Sequence, residues 1–318
     1  MKKALKYLGI TLGGIILILL CLALFVSIKG IPTYEPQVPE VSIQSDSMSI
    51  ANGKRLVTMI CAGCHLNENR QLAGGYLEDI PTAFGKVWSQ NITRHETEGL
   101  GRYSDGQLMY LLRTGVKKDG NFCPPWMPSF PLMGDEDLED IIAFLRSDDP
   151  MTAPSDKAQP APQPSFLVKA LSYVAFKPLP YPEKEIVAPP PSDQLAYGKY
   201  LMNGLIGCYE CHSADFKSNV ALTPESSVGY YGGGNPLIGP DGEIVPSANL
   251  TPHESGLKGW TRDQFEAAVR SGKKPDGGTL NPAMPPHPML TDEEIDAMWA
   301  FIQTVPPIDH VVDRYTPE

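Results

Sequence analysis

Residues 7–28 are an uninterrupted apolar run, preceded by Lys2, Lys3 and Lys6 and followed by Lys29. At 1.5 Å per residue such a run makes a helix of about 33 Å, the thickness of a bilayer core. No small-x-small cleavage pattern precedes Lys29, so residues 1–29 read as an uncleaved signal anchor rather than a removed leader. The positive-inside rule then puts the amino terminus in the cytoplasm and the rest of the chain outside. Beyond Lys29 the pattern changes. Leu108, Leu111 and Leu112 recur at i, i+3, i+4, as do Phe265, Ala268 and Val269. Leu138, Ile141, Ile142 and Leu145, and likewise Ile295, Met298, Trp299 and Ile302, extend the spacing to i+7. This is the period of helices that bury one face. Ser104-x-x-Gln107 and Thr261-x-x-Gln264 are capping boxes that open the first pair of helices. Asp135, Glu136 and Asp137, and Asp292, Glu293 and Glu294, fill the first turns of the second pair, where the helix dipole favours negative charge.

These stripes are two copies of one pattern. Gly115 to Leu145 aligns without a gap on Gly272 to Ile302 at a constant offset of 157. A length of 318 residues also suggests about two domains. The organisation expected is an anchor over 1–29, a Pro-containing stalk over 30–44, one domain over 45–149, a linker over 150–190 and a second domain over 191–318. Pro150, Pro154, Pro160, Pro162 and Pro164 give the linker a semi-rigid composition, and residues 166–176 within it read as a short amphipathic helix or a strap. Packing of this linker against its own domains is the reading preferred to contact with the membrane or a partner.

Composition narrows the classes. With 42% hydrophobic and 20% charged residues the chain is not disordered. The formal net charge is −11, and it becomes −15 once the four lysines flanking the span are set aside. Such an acidic body is not a nucleic-acid binder, because phosphate contacts need clustered Lys and Arg. Six cysteines are too few for a disulfide scaffold of this length.

Four of the six form one pentapeptide written twice, Cys61-Ala62-Gly63-Cys64-His65 and Cys208-Tyr209-Glu210-Cys211-His212. This is the C-x-x-C-H signature of covalent haem attachment. Cysteines at i and i+3 lie on one side of a helical turn, so both thiols reach the vinyl groups of one porphyrin, and the adjacent histidine follows as proximal iron ligand. The expected cofactors are therefore two haem c groups, with His65 and His212 as metal ligands. The repeat selects the second ligands. Pro125-Trp126-Met127-Pro128 faces Pro282-Ala283-Met284-Pro285, whereas Met133 matches Leu290 and Met289 matches Leu132. Met127 and Met284 are thus the candidate distal ligands, and a thioether opposite histidine suits electron transfer.

Rivals exist for these roles. His95 and His253 recur at matched positions and would give bis-histidine ligation, while His287 and His310 have no equivalent in the first copy. Cys123, four residues before Met127, reads as a buried thiol, or else as a thiolate that displaces Met127. Asn91 and Asn249 open Asn-x-Thr sequons but read as turn residues near the haem edge. Tyr103 and Trp260 are either propionate donors or simple packing.

A helix ending in C-x-x-C-H, a middle helix, a Pro-flanked methionine loop and a closing helix together resemble class I cytochrome c, over about 45–149 and 191–307. The Asn91-Ile92-Thr93 and Gly99 set, repeated as Asn249-Leu250-Thr251 and Gly256, is similar to the haem c subunits that accept electrons from bacterial periplasmic dehydrogenases. The resemblance implies a mainly α fold with two class I cytochrome c domains in tandem, here placed after the one transmembrane helix read from the apolar run. It implies an electron-transfer role, which the two haem motifs and the positive-inside topology make that of a dihaem carrier on the periplasmic side of a bacterial inner membrane, partnered by a redox protein or a respiratory or dehydrogenase complex. The competing reading is a dihaem enzyme of the peroxidase or thiosulfate dehydrogenase type, which needs an open or switchable haem.

Overall fold

The computed structural model describes residues 2–312. Its longest element, α1 (Lys2–Lys29), carries the apolar run, and most of its large side chains are exposed, as with Leu17 and Leu20. It is the one helix among the described residues long and apolar enough to cross a membrane, and it fits a membrane anchor or a signal sequence.

The first half is built from α2 (Ser47–Ile60), the single turn α3 (Ala62–His65), α4 (Asp105–Thr114) and α5 (Asp135–Arg146). A connecting helix, α6 (Phe166–Val174), follows. The second half repeats the set as α7 (Gln194–Tyr200), continued by a π-helical turn over Leu201–Leu205, then α8 (Cys208–His212), α9 (Arg262–Ser271) and α10 (Asp292–Ile302). The architecture is mainly helical, and strands occur as three short antiparallel pairs among the described residues. The expected stripes are buried. Leu138, Ile141, Ile142 and Leu145 of α5 and Ile295, Met298 and Ile302 of α10 all lie in the core, with Trp299 half-buried beside them. Both capping boxes form, Ser104 with Gln107 and Thr261 with Gln264. Both helices they open end on a left-handed glycine, Gly115 (φ 77°) and Gly272 (φ 66°), which turns the chain into the methionine loop.

In each half the first helix crosses the last one at backbone contact. A Cβ on Gly53 would stand 1.8 Å from the Asp140 carbonyl oxygen of α5, and a Cβ on Gly198 would stand 1.9 Å from that of Ala297 in α10. Only glycine allows this approach. The periodicity of α2 gave no hint of it.

The two halves share one continuous hydrophobic cluster, which runs from Leu56 and Ile141 through Tyr200 to Ile302. Polar contacts border the seam. The Tyr200 hydroxyl donates to Asp137 and accepts from the Gly134 N–H, while Arg55 Nη1 lies 2.8 Å from both carboxylate oxygens of Glu294. By the alignment of Gly53 with Gly198 and of Gly115 with Gly272, Arg55 matches Tyr200 and Asp137 matches Glu294. The same cross-contact is therefore made twice, with exchanged chemistry.

The connections pack on the first half. Gln163–Pro164 pairs with Gly85–Lys86, and Tyr181 stacks on Tyr110 with ring centroids 5.7 Å apart. Residues 31–34, within the segment expected as a stalk, are also laid down on this surface: Thr33 bridges to Asn121, and the Tyr34 N–H donates to the Gly120 carbonyl at 2.8 Å.

Candidate functional site

The C-x-x-C-H turn of the first half follows directly on α2. The Cys64 and His65 N–H groups donate back to the Cys61 carbonyl, which closes a turn and puts both thiols and the imidazole on one wall. That wall faces a cavity of about 240 Å³ lined by Cys61, Cys64, His65, Cys123 and Met127 together with the apolar Leu108, Leu111, Ile141 and Leu145. Residues 62 positions apart in sequence thus meet across one space, His65 from one side and Met127 from the loop after Gly115.

The imidazole is oriented. Its Nδ1–H donates to the Gln90 carbonyl at 2.8 Å, so Nε2 is left with the lone pair a metal needs. Burial pushes the His65 pKa down and keeps the ring neutral, while burial pushes the Cys61 thiol up to about 12. Ser89 secures the turn from outside, with its hydroxyl donating to the Cys64 carbonyl at 2.5 Å.

The second half repeats the imidazole orientation and the methionine turn. His212 Nδ1 donates to the Ala248 carbonyl at 2.8 Å, in the place of Gln90. Burial pushes the Cys208 thiol up to about 12 and that of Cys211 to about 11. The methionine loops are the same turn: the Met127 N–H donates to the Pro124 carbonyl at 3.2 Å and the Met284 N–H to that of Asn281 at 2.9 Å. Each loop then returns to its middle helix through Phe130 N–H to the Leu112 carbonyl, or His287 N–H to that of Val269, at 2.7 and 2.8 Å. Behind each loop an arginine from the middle helix reaches the first residue of the closing helix, Arg113 with Asp135 and Arg270 with Asp292. Arg113 is wholly buried, and its Nη1 also donates to the Phe130 carbonyl at 2.8 Å.

The rival side chains are placed elsewhere. His95 Nδ1 accepts the Glu98 N–H at 3.1 Å within its own turn and does not line the cavity. His253 Nδ1 is 2.9 Å from the Ser255 hydroxyl. His310 Nδ1 donates to the Gly232 carbonyl, and His287 is buried, with its pKa pushed down by that burial. Cys123 also lines the cavity, and burial raises the pKa of its thiol. Asn91 and Asn249 are buried, and each side-chain oxygen accepts from its own threonine, Thr93 or Thr251. Their Nδ2 groups hold down the segments that follow each domain, at Ser155 and Ile308.

Three cations on the cavity wall have no counterpart in the motif reading: Arg102, Lys117 and Lys118. Lys118 and Arg102 lie 5.3 and 5.8 Å from the Tyr103 ring centroid. An apolar slot with two thiols, an oriented imidazole, a thioether and cations on its wall fits haem c, a flat apolar macrocycle carrying two carboxylates. The only signal in the sequence was basic residues at 117 and 118 within an acidic chain, where local spacing marks no cavity.

A family model described as Cytochrome c matches residues 50–149 and again 195–306. Similarity extends to the cytochrome c subunit of the quinone alcohol dehydrogenase of Gluconacetobacter polyoxogenes, 28% identical over 80% of this chain and 55% of that protein. It extends likewise to the fructose dehydrogenase cytochrome subunit of Gluconobacter japonicus, 29% identical over 81% of this chain and 53% of that one. A diheme cytochrome c-type protein of Cereibacter sphaeroides is 27% identical over 78% of this chain and 83% of its own length. The chain spans about half the length of the dehydrogenase subunits it matches.

Proposed function

We propose, from the premise that this chain belongs to the cytochrome c family, that it is a dihaem electron carrier held by α1 at the periplasmic face of a bacterial inner membrane. In this reading Cys61 and Cys64 hold one haem and Cys208 and Cys211 the other. His65 and His212 are the proximal ligands, and Met127 and Met284 the distal ones. When bound, haem c supplies one-electron chemistry at a low-spin iron. The residues of the chain do the rest: Gln90 and Ala248 orient the imidazoles, the Arg113–Asp135 and Arg270–Asp292 pairs brace the methionine loops, and Arg102, Lys117 and Lys118 offset carboxylate charge.

The observation that carries this reading is the meeting of Cys61, Cys64, His65 and Met127 in one cavity. Two protein ligands per iron leave no open position for a substrate, which favours a carrier over a peroxidase or thiosulfate dehydrogenase. The similarity to cytochrome subunits of a quinone alcohol dehydrogenase and a fructose dehydrogenase supports a dehydrogenase or respiratory complex as electron donor. The acidic body favours a Lys-rich soluble partner whose binding weakens with salt.

The test is a haem count and a ligand assay. Purified protein should contain two covalent haems per chain, show the near-infrared methionine-to-iron band and bind carbon monoxide poorly. Met127→Ala and Met284→Ala should each remove part of that band and open one iron to carbon monoxide. A variant that kept the native spectrum would overturn that ligand assignment.

A further inference from the structure

The connecting helix α6 is attached to two things at once. Its Ser165 cap is fixed to the first half, with the N–H donating to the Phe84 carbonyl at 3.0 Å and the hydroxyl to that of Ala83 at 2.6 Å. Val168 and Ser172 are fully buried on this side. Along another side α6 lies against α1, where the Tyr173 ring meets Phe25 edge-on at 5.6 Å. A further face of the helix presents uncovered apolar side chains: Phe166 is 50% exposed, Leu167 45% and Val174 77%.

The place of contact along α1 matters. Phe25 precedes Lys29, the last residue of the helix, by four residues, about 6 Å of helix rise. If α1 spans a bilayer, Phe25 lies just inside its outer boundary. Interfacial helices bury their apolar face by about 5–10 Å at that level, and Tyr is enriched there. Lys169 supplies a basic residue of the kind phospholipid headgroups favour, while the Lys177 ammonium caps the end of the helix by donating to the Ser172 and Tyr173 carbonyls at 3.2 and 2.6 Å. We infer that α6 lies in the outer leaflet beside α1, with Phe166, Leu167 and Val174 in contact with phospholipid. A single span leaves the body free to rotate and tilt on its tether. A second contact, mounted rigidly on the first half, fixes the height and face that this half presents. The inference rests on the anchored reading above.

It is tested in the full haem-loaded chain, reconstituted into phosphatidylcholine vesicles, with Leu167 replaced by a photoreactive benzophenone amino acid and the same replacement at Val174 as a second position. Irradiation should give peptide adducts heavier by one phospholipid at both sites, and none at a control replacement of Phe216, which is exposed in the second half. Alkaline extraction is run in parallel. Protein that stays in the vesicles but forms no lipid adduct at either position overturns this inference while leaving the anchor intact. Protein that washes out overturns the anchor. Adducts to polypeptide instead of lipid would show that a second copy or a partner subunit covers this face, and would also overturn it.

Discussion

Arg55 in the first half holds both carboxylate oxygens of Glu294 in the second, at 2.8 Å. Glu294 is almost wholly buried and also closes the capping box of α10, so its charge serves both a helix start and the seam between halves. Arg55→Ala leaves that carboxylate buried with its main cation gone and should cost about 3 kcal/mol, the usual result of breaking a buried pair from one side. Urea unfolding of the haem-loaded protein measures this. Glu294→Gln should cost less, because it removes the charge along with the ion pair.

The backbone crossings make a sharper claim. Gly53→Ala and Gly198→Ala each drive a methyl into a carbonyl less than 2 Å away, so α2 must leave α5 and α7 must leave α10. The expected loss exceeds about 3 kcal/mol, read as a collapse in the yield of haem-loaded protein. Gly63→Ala, inside the haem motif but facing open space, should be tolerated.

Asp140 gives a pH dependence of definite sign. Burial, with Asp137, Glu136 and Asp46 nearby, pushes its pKa up to about 6, against the bond from Asn52 that lowers it. The folded state then binds more protons than the unfolded one between about pH 4 and 6, so this group's contribution to stability falls as pH rises through that window. Asp140→Asn should flatten the stability profile there and raise stability at pH 7 by roughly 1–2 kcal/mol, after allowing for screening. Thermal melts from pH 4 to 7 compare the two proteins, and an unchanged slope would count against it.

Asn249 is fully buried, with its amide spanning Thr251 and the carbonyl of Ile308. Asn249→Ala strands these groups and should destabilise by about 2 kcal/mol. Asn249→Asp should also fail, because the Nδ2 donor that holds residues 308–310 is lost. Calorimetry distinguishes both from the native chain.

The parts of this molecule that follow from local rules were legible in its sequence. The capping boxes at Ser104 and Thr261, the stripes of α5 and α10, the apolar span and the paired C-x-x-C-H turns each depend on side chains within a few positions of one another. The 157-residue repeat then singled out Met127 and Met284 without any knowledge of the fold. Gly53, Gly198, Arg113 and the cations at 102, 117 and 118 were not legible, because their roles depend on what stands opposite them.

Sequence by itself determined which residues can carry the chemistry and that they come twice, since covalent spacing and helical period are local properties of the chain. Tertiary structure alone decided how close the helices cross, that Arg55 finds Glu294 where Tyr200 finds Asp137, and that α6 stands against Phe25. A hydrophobic period reports that a face will be buried but not against what. That choice is made by shape and hydrogen bonding between segments up to 239 residues apart.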